Sequence, residues 1–502
     1  MATTIPHATT DRSPATDSAR HRVVVLDGDG IGPEIMRAAR AVLAAVEAPV
    51  ELVDAQVDRS TGLPEAAVFD ELDAGAVLLK APMTTPIGAG HKSPNVTLRK
   101  LLELYANVRP SRTLPGLAAP CGPVDLVVVR ENIEDLYAGI EHAQTDDVLQ
   151  CLKLVSRSGS AAISKLAFDV AESLGRERVT CVTKANIMKL TDGVLLDAYR
   201  AEAARRGADP DHVLVDAAAC DLVRAPERFD VLVTTNLYGD ILSDLAAGLT
   251  GGLGIAPSMN VGSRCAMFEP VHGSAPDIAG RDLANPTAML LSTVLMLRYL
   301  GDPVGADAIQ RAIDDVYLEG RVRTADVAAP GVDPVGSTAF AYHVATRAAE
   351  LCDRDTADQG TTSIPSFARR ATGADEQAVT DSRAVEFVAE RRAIGVDVFV
   401  EWDGDVEALA SSLQAAAAPG PLRLWYITNR GLCVWPTAAR ARLVDHFRCR
   451  FVVDAPDASA DERDVLELLE RVGRDMRWMH VERLEEHDGE HAFTTAYGAP
   501  AA

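Results

Sequence analysis

Paired cysteines are absent from this sequence. Its eight cysteines stand singly along the chain, and no two of them form a CxxC pair. This pattern excludes a disulfide framework and a cysteine-bound zinc site, and it is typical of reduced thiols in a cytosol. We therefore expect a cytoplasmic protein.

Long apolar runs are missing as well. No stretch approaches the roughly 20 consecutive apolar residues that a membrane-spanning helix requires, so we expect no membrane partner. Residues 1–20 are rich in Thr, Ser, Pro and Ala and lack the apolar segment of a signal peptide. Because Asp11 and Asp17 also disfavour a transit peptide, we expect this segment to be a disordered tail.

Positive charge is scarce. The 49 Lys and Arg residues are outnumbered by 73 Asp and Glu residues, which gives a formal net charge of −24. So acidic a chain is not expected to bind nucleic acid, and a basic site for an anionic substrate must be local. The length of 502 residues exceeds that of a single core, roughly 250–300 residues, and predicts more than one domain.

Short buried-strand patterns alternate with helical stretches through the first 350 residues. A helical pattern begins at Glu34 and ends near Ala48. Strands that are followed by loops and then by helices predict an α/β fold with its site at the strand ends. The strand patterns lie at residues 23–26, 77–80, 125–130, 179–183 and 230–235.

The later part of the chain changes character. Residues 353–382 are polar and rich in Asp, Thr, Ser and Gly, and are predicted to form a linker. Residues 383–502 are predicted to form a small C-terminal α/β domain. Its strand and helix patterns alternate at residues 395–401, 406–417, 422–427, 451–454 and 461–472.

Three arginines, Arg99, Arg109 and Arg130, indicate carboxylate sites in an otherwise acidic chain. A guanidinium is the fork that fits a carboxylate with two parallel hydrogen bonds. Ser93, which precedes a proline, is a typical helix N-cap, and the helix places Asn95 and Arg99 on one face. A carboxylate there would meet a hydroxyl, an amide, a guanidinium and the positive end of the helix. The alternative is that Ser93 only caps the helix.

Two aspartates, Asp240 and Asp244, lie four residues apart and so share one face of a predicted helix. The helix dipole alone could explain one of them. Together with Asp216 upstream, however, they form an oxygen-ligand set that suits Mg²⁺ or Mn²⁺. Arginines for several carboxylates beside a metal clamp predict a small polycarboxylate that is held for metal-assisted chemistry.

Tyr137 and Lys184 are candidates for proton transfer. Tyr137 follows Arg130 by seven residues, and Lys184 comes directly after a strand pattern. A tyrosine and a lysine near a metal can form a proton-handling pair. The plainer interpretation is a half-buried tyrosine and a solvated lysine.

Two glycine-rich segments invite a nucleotide-binding interpretation. Residues 28–32 follow a strand pattern, but their spacing does not fit the G-x-G-x-x-G fingerprint, and a structural tight turn explains them at least as well. The loop at residues 268–280 is constrained and rich in donors, as an adenosine-diphosphate pocket requires. It contains Gly273, Ser274, Pro276 and Gly280.

Taken together, these motifs resemble the metal-dependent β-decarboxylating dehydrogenases, which comprise isocitrate, 3-isopropylmalate, homoisocitrate and tartrate dehydrogenases. The resemblance extends from about residue 22 to about residue 350. Ser93, Asn95 and Arg99 are similar to the isocitrate type, because the apolar pocket of the isopropylmalate type cannot satisfy a third carboxylate. The segment from residue 383 is similar to the extra C-terminal domain of longer bacterial isocitrate dehydrogenases, which is thought to support the dimer.

The resemblance implies the isocitrate/isopropylmalate dehydrogenase-type α/β fold, which is not a classical Rossmann fold. It implies a large cofactor-binding domain formed by residues 21–104 and 256–352. A small substrate and dimer domain would occupy residues 105–255, with a clasp near 137–155. The implied partner is a second copy of the chain, in a homodimer whose active sites are shared.

The resemblance also implies a role for each candidate. Tyr137 would protonate the enolate after CO₂ leaves, and Lys184 of the partner subunit would accept the proton of the 2-hydroxyl. Asp240 and Asp244, with Asp216 of the partner subunit, would hold Mg²⁺ or Mn²⁺. The substrate carboxylates would be bound by Ser93, Asn95, Arg99, Arg109 and Arg130.

The resemblance places the nicotinamide cofactor against the later loop. NADP-dependent relatives carry Lys-Tyr at the positions of Asp277 and Ile278, and Tyr and Arg where Ala325 and Ala329 align. An aspartate can accept bonds from both ribose hydroxyls but repels a 2′-phosphate, so we predict NAD over NADP. The implied cofactor contacts are Thr84, Glu269, His272, Gly273, Ser274, Ala275, Asp277, Ile278 and Asn285, with Asn186 of the partner subunit.

The resulting prediction is an NAD-dependent isocitrate dehydrogenase that yields 2-oxoglutarate and CO₂. The alternatives are an NADP-dependent enzyme, a relative acting on homoisocitrate, a phosphonate analogue or another substituted malate, and a regulatory subunit without turnover. Residues 93–99 favour isocitrate over the other substrates. The presence of Tyr137, Lys184 and all three aspartates disfavours the regulatory subunit.

Overall fold

The computed structural model describes residues 20–58, 63–84, 93–354, 390–437, 442–455, 458–496 and 499–500. These residues divide into two compact units, each with its own sheet and buried core. The first unit lies within Met1–Ile133, Ala161–Thr183 and Ala198–Thr380. The second unit lies within Glu134–Ser160, Lys184–Asp197 and Asp381–Ala502.

The described strands are short, and most are apolar. In chain order they are β1 (His21–Leu26), β2 (Val50–Asp54), β3 (Val57–Asp58), β4 (Leu63–Pro64), β5 (Val77–Lys80), β6 (Ala106–Arg112), β7 (Asp125–Glu131), β8 (Glu141–Ala143), β9 (Leu149–Cys151), β10 (Val179–Thr183), β11 (Asp211–Leu214), β12 (Val231–Thr234), β13 (Pro257–Val261), β14 (Ala266–Pro270), β15 (Arg391–Glu401), β16 (Leu422–Asn429), β17 (Leu432–Trp435), β18 (His446–Val453), β19 (Trp478–His487) and β20 (Glu490–His491).

The α-helices alternate with these strands. In chain order they are α1 (Gly32–Ala45), α2 (Ala66–Asp73), α3 (Pro94–Leu101), α4 (Arg157–Ser173), α5 (Thr191–Arg206), α6 (Val215–Arg224), α7 (Asn236–Thr250), α8 (Thr287–Leu300), α9 (Pro303–Glu319), α10 (Ser337–Leu351), α11 (Val406–Ala417) and α12 (Glu462–Val472).

The first unit is organised around one ten-stranded mixed sheet with the order β11-β10-β12-β7-β6-β13-β14-β5-β1-β2. Strand β13 runs antiparallel to both of its neighbours, β14 and β6, and parallel pairs form further out on both sides. The inner parallel strands are rich in buried apolar residues because both of their faces are covered. In β1, for example, Val23, Val24 and Val25 are at most 1% exposed.

Helix α8 packs on β13 and β14 and is buried on nearly every side. Its sequence is apolar all round, as expected for a helix in the interior of a large domain. The side chain of Asn285 accepts a hydrogen bond from the Thr287 N–H at 3.0 Å, at the start of this helix. The central helix of the core therefore also fixes a residue of the predicted cofactor site.

The second unit combines the hairpin β8–β9 with a six-stranded antiparallel sheet of order β17-β16-β18-β15-β19-β20. Helices α11 and α12 cover one face of this sheet. Alternate residues of β15, Val396, Val398 and Val400, point into that core together with Leu409 and Leu468. The period-two pattern of β15 thus matches a sheet with one face packed on helices.

The sequence predicted fewer than half of these elements, but each predicted strand pattern forms a strand. The five strand patterns of the first 350 residues form β1, β5, β7, β10 and β12, and the helix at 406–417 is α11. The first helix ends at Ala45 and not near Ala48, because Glu47 has a φ of 48°, outside the helical region. The predicted tail at 1–20 and linker at 353–382 lie almost entirely outside the described residues. No described helix is long and apolar enough to cross a membrane.

Candidate active site

Five neighbouring strands of the first sheet, β7, β6, β13, β14 and β5, each contribute at least one polar side chain to a single buried network. In this order the side chains are Arg130, Arg109, Asn260, Glu269 and Lys80. Each of them is at most 5% exposed. The sheet order thus brings together residues that are far apart in the sequence.

Glu269 is the anionic centre of this network. Its carboxylate lies 2.7 Å from Lys80 Nζ and 2.8 Å from Arg99 Nη2. Burial alone would raise the pKa of Glu269, but Lys80 and Arg99 outweigh that effect and hold the pKa well below its usual range. The carboxylate is therefore ionised at neutral pH and fixes the position of Arg99.

Asparagine side chains connect Glu269 with Arg109. Asn260 donates to Glu269 Oε1 at 2.9 Å and accepts from Asn107 at 2.7 Å. Asn107 in turn accepts from Arg109 Nε at 2.6 Å. Asn132 also donates to Asn260, at 3.0 Å. A buried amide needs partners for both its donor and its acceptor. This chain of hydrogen bonds therefore fixes Arg109 relative to Arg99, which is bonded to Glu269.

Arg109 and Arg130 converge on the first residue of the predicted metal pair. Arg109 Nη1 lies 3.3 Å from the carboxylates of both Asp240 and Asp244, and Arg130 Nη1 bonds to Asp240 directly. The arginines are almost fully buried, whereas the aspartate side chains are 34% and 50% exposed. The buried part of the site is therefore cationic, and its accessible part is anionic.

Burial shapes the proton affinities of this cluster. Desolvation, together with the neighbouring Arg130, lowers the pKa of Arg109 to about 10, so Arg109 remains charged at neutral pH. Partial burial raises the pKa of Asp244 above its usual range, and Asp240 adds to this effect while Arg109 opposes it. A cation bound beside Asp240 and Asp244 would relieve this penalty.

Arg130 owes its position to a glycine. The guanidinium donates to Asn236 Oδ1 from Nη2 at 2.7 Å, at the start of α7. A Cβ at Gly239 would lie 2.5 Å from Cγ of Arg130, so only glycine lets the helix approach the arginine this closely.

Helix α3 contributes the remaining predicted substrate residues. Lys80 donates to Asn95 Oδ1 at 3.0 Å, and Asn95 Nδ2 donates to the Met83 carbonyl at 2.9 Å. Ser93 occupies the N-cap position, and its side chain makes no capping hydrogen bond. The buried Nε of Arg99 has no partner in the described part of the chain and is available as a donor.

A cavity of about 460 Å³ connects this cluster with the predicted cofactor loop. Thr84 Oγ1 lies 2.9 Å from Ser274 Oγ, and the Thr84 N–H donates to Asp29 at 2.8 Å. The residues lining it include Lys80, Thr84, Asn95, Arg99, Glu269 and Ser274. Residues from both predicted sites therefore line one continuous space.

The glycine turn at 28–32 supports this loop. The Ile31 N–H donates to the Ser274 carbonyl at 2.9 Å. A Cβ on Gly30 would lie 2.0 Å from that same carbonyl oxygen, and Gly30 also has a φ of +60°. The turn is structural, as its spacing indicated, and it holds Ser274 in place.

The other predicted cofactor residues lie on the surrounding loop. Burial lowers the pKa of His272, so the ring is neutral at pH 7, and its Nδ1 lies 3.0 Å from the Gly273 carbonyl. Ala275 has a φ of +37°, an unusual value for alanine. Asp277 is exposed and Ile278 is half-buried, as is expected of side chains that meet a ligand from solvent.

The second unit contains Tyr137, Lys184 and Asn186. Tyr137 is half-buried in the 3-10 helix Leu136–Ala138. Lys184 is also half-buried, and its backbone N–H donates to Asp192 Oδ2 at 2.6 Å. Asn186 is exposed.

Comparison with known proteins decides the family. The isocitrate/isopropylmalate dehydrogenase family matches residues 22–342, and the bacterial isocitrate dehydrogenase C-terminal domain matches residues 391–499. The chain belongs to the isocitrate/isopropylmalate dehydrogenase family. The resemblance inferred from the sequence, and the fold class that it implied, are thereby confirmed.

Individual relatives agree with this assignment. Isocitrate dehydrogenase [NADP] of Thermus thermophilus is 45% identical over 494 residues, which cover 96% of this chain and 97% of the relative. Isocitrate dehydrogenase [NAD] catalytic subunit 5 of Arabidopsis thaliana is 47% identical over 308 residues, covering 60% of this chain and 82% of the relative. A crystal structure of a protein from Thermus thermophilus covers 96% of this chain and 97% of its own, with a TM-score of 0.87 and 44% identity.

Members of the isocitrate/isopropylmalate dehydrogenase family use a nicotinamide cofactor and a divalent metal. Asp240 and Asp244 fit such a metal, because Mg²⁺ takes one or two carboxylates and completes its shell with substrate and water. The described residues of one chain form no cluster of three His, Cys, Asp or Glu that could hold an ion. Asp216 is exposed at the second position of α6.

Several residues of this family member were not foreseen from the sequence. Lys80, Asn107, Asn132 and Asn260 hold the arginines without standing in any recognised motif. For Lys80 a signal existed, since a lysine that ends an apolar strand of four buried residues must have an anionic partner. For the asparagines no local signal existed, because their partners lie on other strands.

Proposed function

We propose that this chain is an isocitrate dehydrogenase that oxidises isocitrate with NAD and releases CO₂ and 2-oxoglutarate. The observation that carries the proposal is one cluster of guanidiniums beside two accessible carboxylates. Arg109 and Arg130 both reach Asp240, and Arg99 is close enough to depress the pKa of Arg109. A ligand with three carboxylates matches the three guanidiniums of this cluster in number and charge.

The proposed binding event exchanges partners within this cluster. Without substrate, Arg109 and Arg130 are compensated by Asp240 and Asp244. Substrate carboxylates would take over the guanidiniums and leave the two aspartates to hold Mg²⁺ or Mn²⁺. Every buried charge would stay compensated, which avoids the cost of an isolated charge in a dry site.

In the proposed reaction, Lys184 of the partner subunit would accept the hydroxyl proton of isocitrate, and a bound nicotinamide ring would supply the acceptor for the hydride from C2. The carboxylate on C3 then leaves as CO₂, and its bonding electron pair remains on C3. Tyr137 donates a proton to C3, which yields 2-oxoglutarate. A bound Mg²⁺ or Mn²⁺ supplies Lewis-acid polarisation of the substrate oxygens.

We infer a preference for NAD over NADP from the loop beside the cavity. Asp277 and Ile278 stand where NADP enzymes of this family have Lys-Tyr. Ala325 and Ala329 are exposed and offer no cation to a 2′-phosphate. The expected preference is roughly a hundredfold, because like-charge repulsion and lost arginine bonds together amount to a few kcal/mol. The Thermus relative is named for NADP, so the cofactor is the part of the proposal most in need of measurement.

The main experiment measures initial rates of the purified full-length chain with isocitrate and Mn²⁺, titrating NAD and NADP separately. Homoisocitrate and 3-isopropylmalate serve as competing substrates. Turnover of isocitrate with a higher kcat/KM for NAD supports both parts of the proposal. A preference for NADP would overturn the cofactor alone, and turnover of another substituted malate only would overturn the substrate.

We also propose a homodimer in the cytoplasm whose sites combine Tyr137 of one subunit with Lys184, Asn186 and Asp216 of the partner subunit. Tyr137→Phe and Lys184→Met, each inactive alone, test this sharing. Mixed dimers contain one site with both defects and one intact site, so denaturing and refolding the two variants together should restore activity. No recovery in verified mixed dimers would show that each site is built from one chain.

A further inference from the structure

Three charged side chains are buried together in the second unit, and none of them belongs to the arginine cluster. Lys153 Nζ lies 2.6 Å from Asp192 Oδ1 and 3.4 Å from Asp135 Oδ1. The side chains of Lys153, Asp192 and Asp135 are 12%, 0% and 2% exposed. Charges withdrawn from water this far need opposite charges beside them, and Lys153 supplies one to both aspartates, so we treat the three as a unit.

The Asp135 end of this triad holds an unusual backbone. Asp135 has a φ of +66° and a ψ of −153°, a region that is otherwise almost confined to glycine. Its N–H donates to the Leu154 carbonyl at 2.8 Å, next to Lys153 in sequence. The strained residue is followed directly by the 3-10 helix Leu136–Ala138, which contains Tyr137. Residues 153 and 154 thus fix the start of the 3-10 helix that contains Tyr137, through the Leu154 carbonyl and the Lys153 side chain.

The other end of the triad, Asp192, holds the segment that contains Lys184. While Oδ1 binds Lys153, Oδ2 accepts the backbone N–H of Lys184 at 2.6 Å. The turn between them is closed by backbone bonds from Met188 to the Lys184 carbonyl and from Asp192 to the Met188 carbonyl. The Asp192 carboxylate therefore sets the point from which the Lys184 side chain departs.

We propose that Lys153 is a positioning residue that couples the segment of Tyr137 to the segment of Lys184 through Asp135 and Asp192. This inference rests on the proton-transfer roles proposed above for Tyr137 and Lys184. If Lys184 serves the partner's site, the triad links the proton donor of one active site to the proton acceptor of the other. A displacement at either end of the triad would then change the geometry of both active sites.

The physical reason for a positioning role is the geometry that proton transfer demands. Donor and acceptor must come within hydrogen-bond distance of the reacting atom, and a displacement of about 1 Å can cost about a hundredfold in rate. Loss of the Lys153 charge would remove the cation that lies between two buried carboxylates. The strained turn at Asp135 would then lose its side-chain contact with Lys153, and Tyr137 would move with the turn.

The test compares the full-length Lys153→Met variant with Lys153→Arg and with Arg463→Met, which removes an exposed charge paired with Glu467 in the same unit. We expect Lys153→Met to lower kcat by about ten- to a hundredfold while the KM for isocitrate changes by less than about threefold. The primary isotope effect with isocitrate deuterated at C2, or the rate of C3 proton exchange in 2-oxoglutarate, should change with it. Lys153→Arg should recover part of kcat, and Arg463→Met should match the parent.

Should Lys153→Met not fold, Asp135→Asn replaces it, since it removes one charge and keeps the shape. Where both variants fold, the double variant should be no worse than Lys153→Met alone, because the two residues act as one unit. If folded Lys153→Met has a parent-like kcat and only a lower melting temperature, the proposal is overturned. Lys153 would then only stabilise the fold.

Tyr137→Phe and Lys184→Met separate this failure from that of the proposed function. If each of them lowers kcat by about a hundredfold or more and Lys153→Met does not, only the positioning role is wrong. If either variant keeps a parent-like kcat, the role proposed for that side chain is wrong, and the coupling proposed for Lys153 is overturned with it.

Discussion

Lys80 and Glu269 form a 2.7 Å salt bridge in which the side chains are only 1% and 6% exposed. Arg22 and Glu71 form a 2.9 Å salt bridge in the same unit, but at 45% and 34% exposure. Both pairs join a basic side chain to a glutamate at nearly the same distance. They differ in solvent exposure, so together they test how burial changes the contribution of a salt bridge to stability.

Lys80→Met should lower the free energy of unfolding by about 3–5 kcal/mol, because it removes one of the two cations that compensate the buried Glu269 carboxylate. Arg22→Met should cost at most about 1 kcal/mol, since water already screens that pair. Urea denaturation followed by far-ultraviolet circular dichroism measures both. Equal costs would show that Glu269 is relieved by protonation or by Arg99 once Lys80 is gone.

Arg109→Gln should lower kcat/KM for isocitrate by at least about thirtyfold, because a buried guanidinium partner is worth about 2 kcal/mol or more to a bound carboxylate. Arg112→Gln is the control: Arg112 lies on the same strand but is 40% exposed and pairs with Asp314. Steady-state kinetics with isocitrate and Mn²⁺ distinguish the two. Similar kinetics in both variants would argue that Arg109 holds the fold and does not contact substrate.

Asp277→Lys should shift the cofactor preference toward NADP, and Asp277→Asn should move it less. The first substitution removes the repulsion of a 2′-phosphate and adds a cation, whereas the second only removes the repulsion. We expect the ratio of kcat/KM values for NAD and NADP to fall by about tenfold or more in Asp277→Lys. An unchanged ratio in both variants would remove Asp277 from the cofactor site.

The second unit should lose stability when the pH falls below about 6.5, the usual pKa of a histidine in an unfolded chain. His480 stacks on Phe399 with 3.9 Å between ring centroids, and His446 lies 5.5 Å from the same ring. Burial lowers the pKa of both imidazoles, and His446 and His142 lower that of His480 further, against the opposing effect of Asp397.

Because the folded state binds these protons less readily than the unfolded chain, stability is fully present above about pH 6.5. It declines as the pH falls toward the lowered pKa values. Melting temperatures at about pH 7.5 and about pH 5.5, on either side of that value, measure the loss. In His480→Gln, which can still bond Gln144 but cannot titrate, the loss should be smaller, and exposed His343→Gln should behave as the parent. A parent-sized loss in His480→Gln would assign the effect to other groups.

Sequence reasoning succeeded where the information was local. The four-residue spacing of Asp240 and Asp244 places both carboxylates within 3.3 Å of Arg109, and the apolar runs became strands. A helix start was correctly placed at Ser93, although the hydroxyl makes no capping bond there. Periodicity and turn chemistry are properties of neighbouring residues, so they can be interpreted without the fold.

Sequence reasoning failed where partners are distant. Nothing near Lys80 indicates that its partner is Glu269, because the pairing depends on β14 lying next to β5 in the sheet. The positive φ of Asp135 was equally hidden, since its combination with an extended ψ is one that no side chain favours. Both features are products of long-range packing, which overrides local propensity.

The amide and carboxylate chain from Arg109 to Lys80 has a consequence for how this site can change over generations. The inner side chains of this chain each bond to two neighbours. A single substitution there therefore leaves two buried polar groups without a partner. Descendants with a different substrate would have to alter several of these positions together or leave them all alone. We therefore expect the side chains from Arg109 to Lys80 to change together, whereas positions outside this chain of bonds, such as Ser93 and Asp277, can change one at a time.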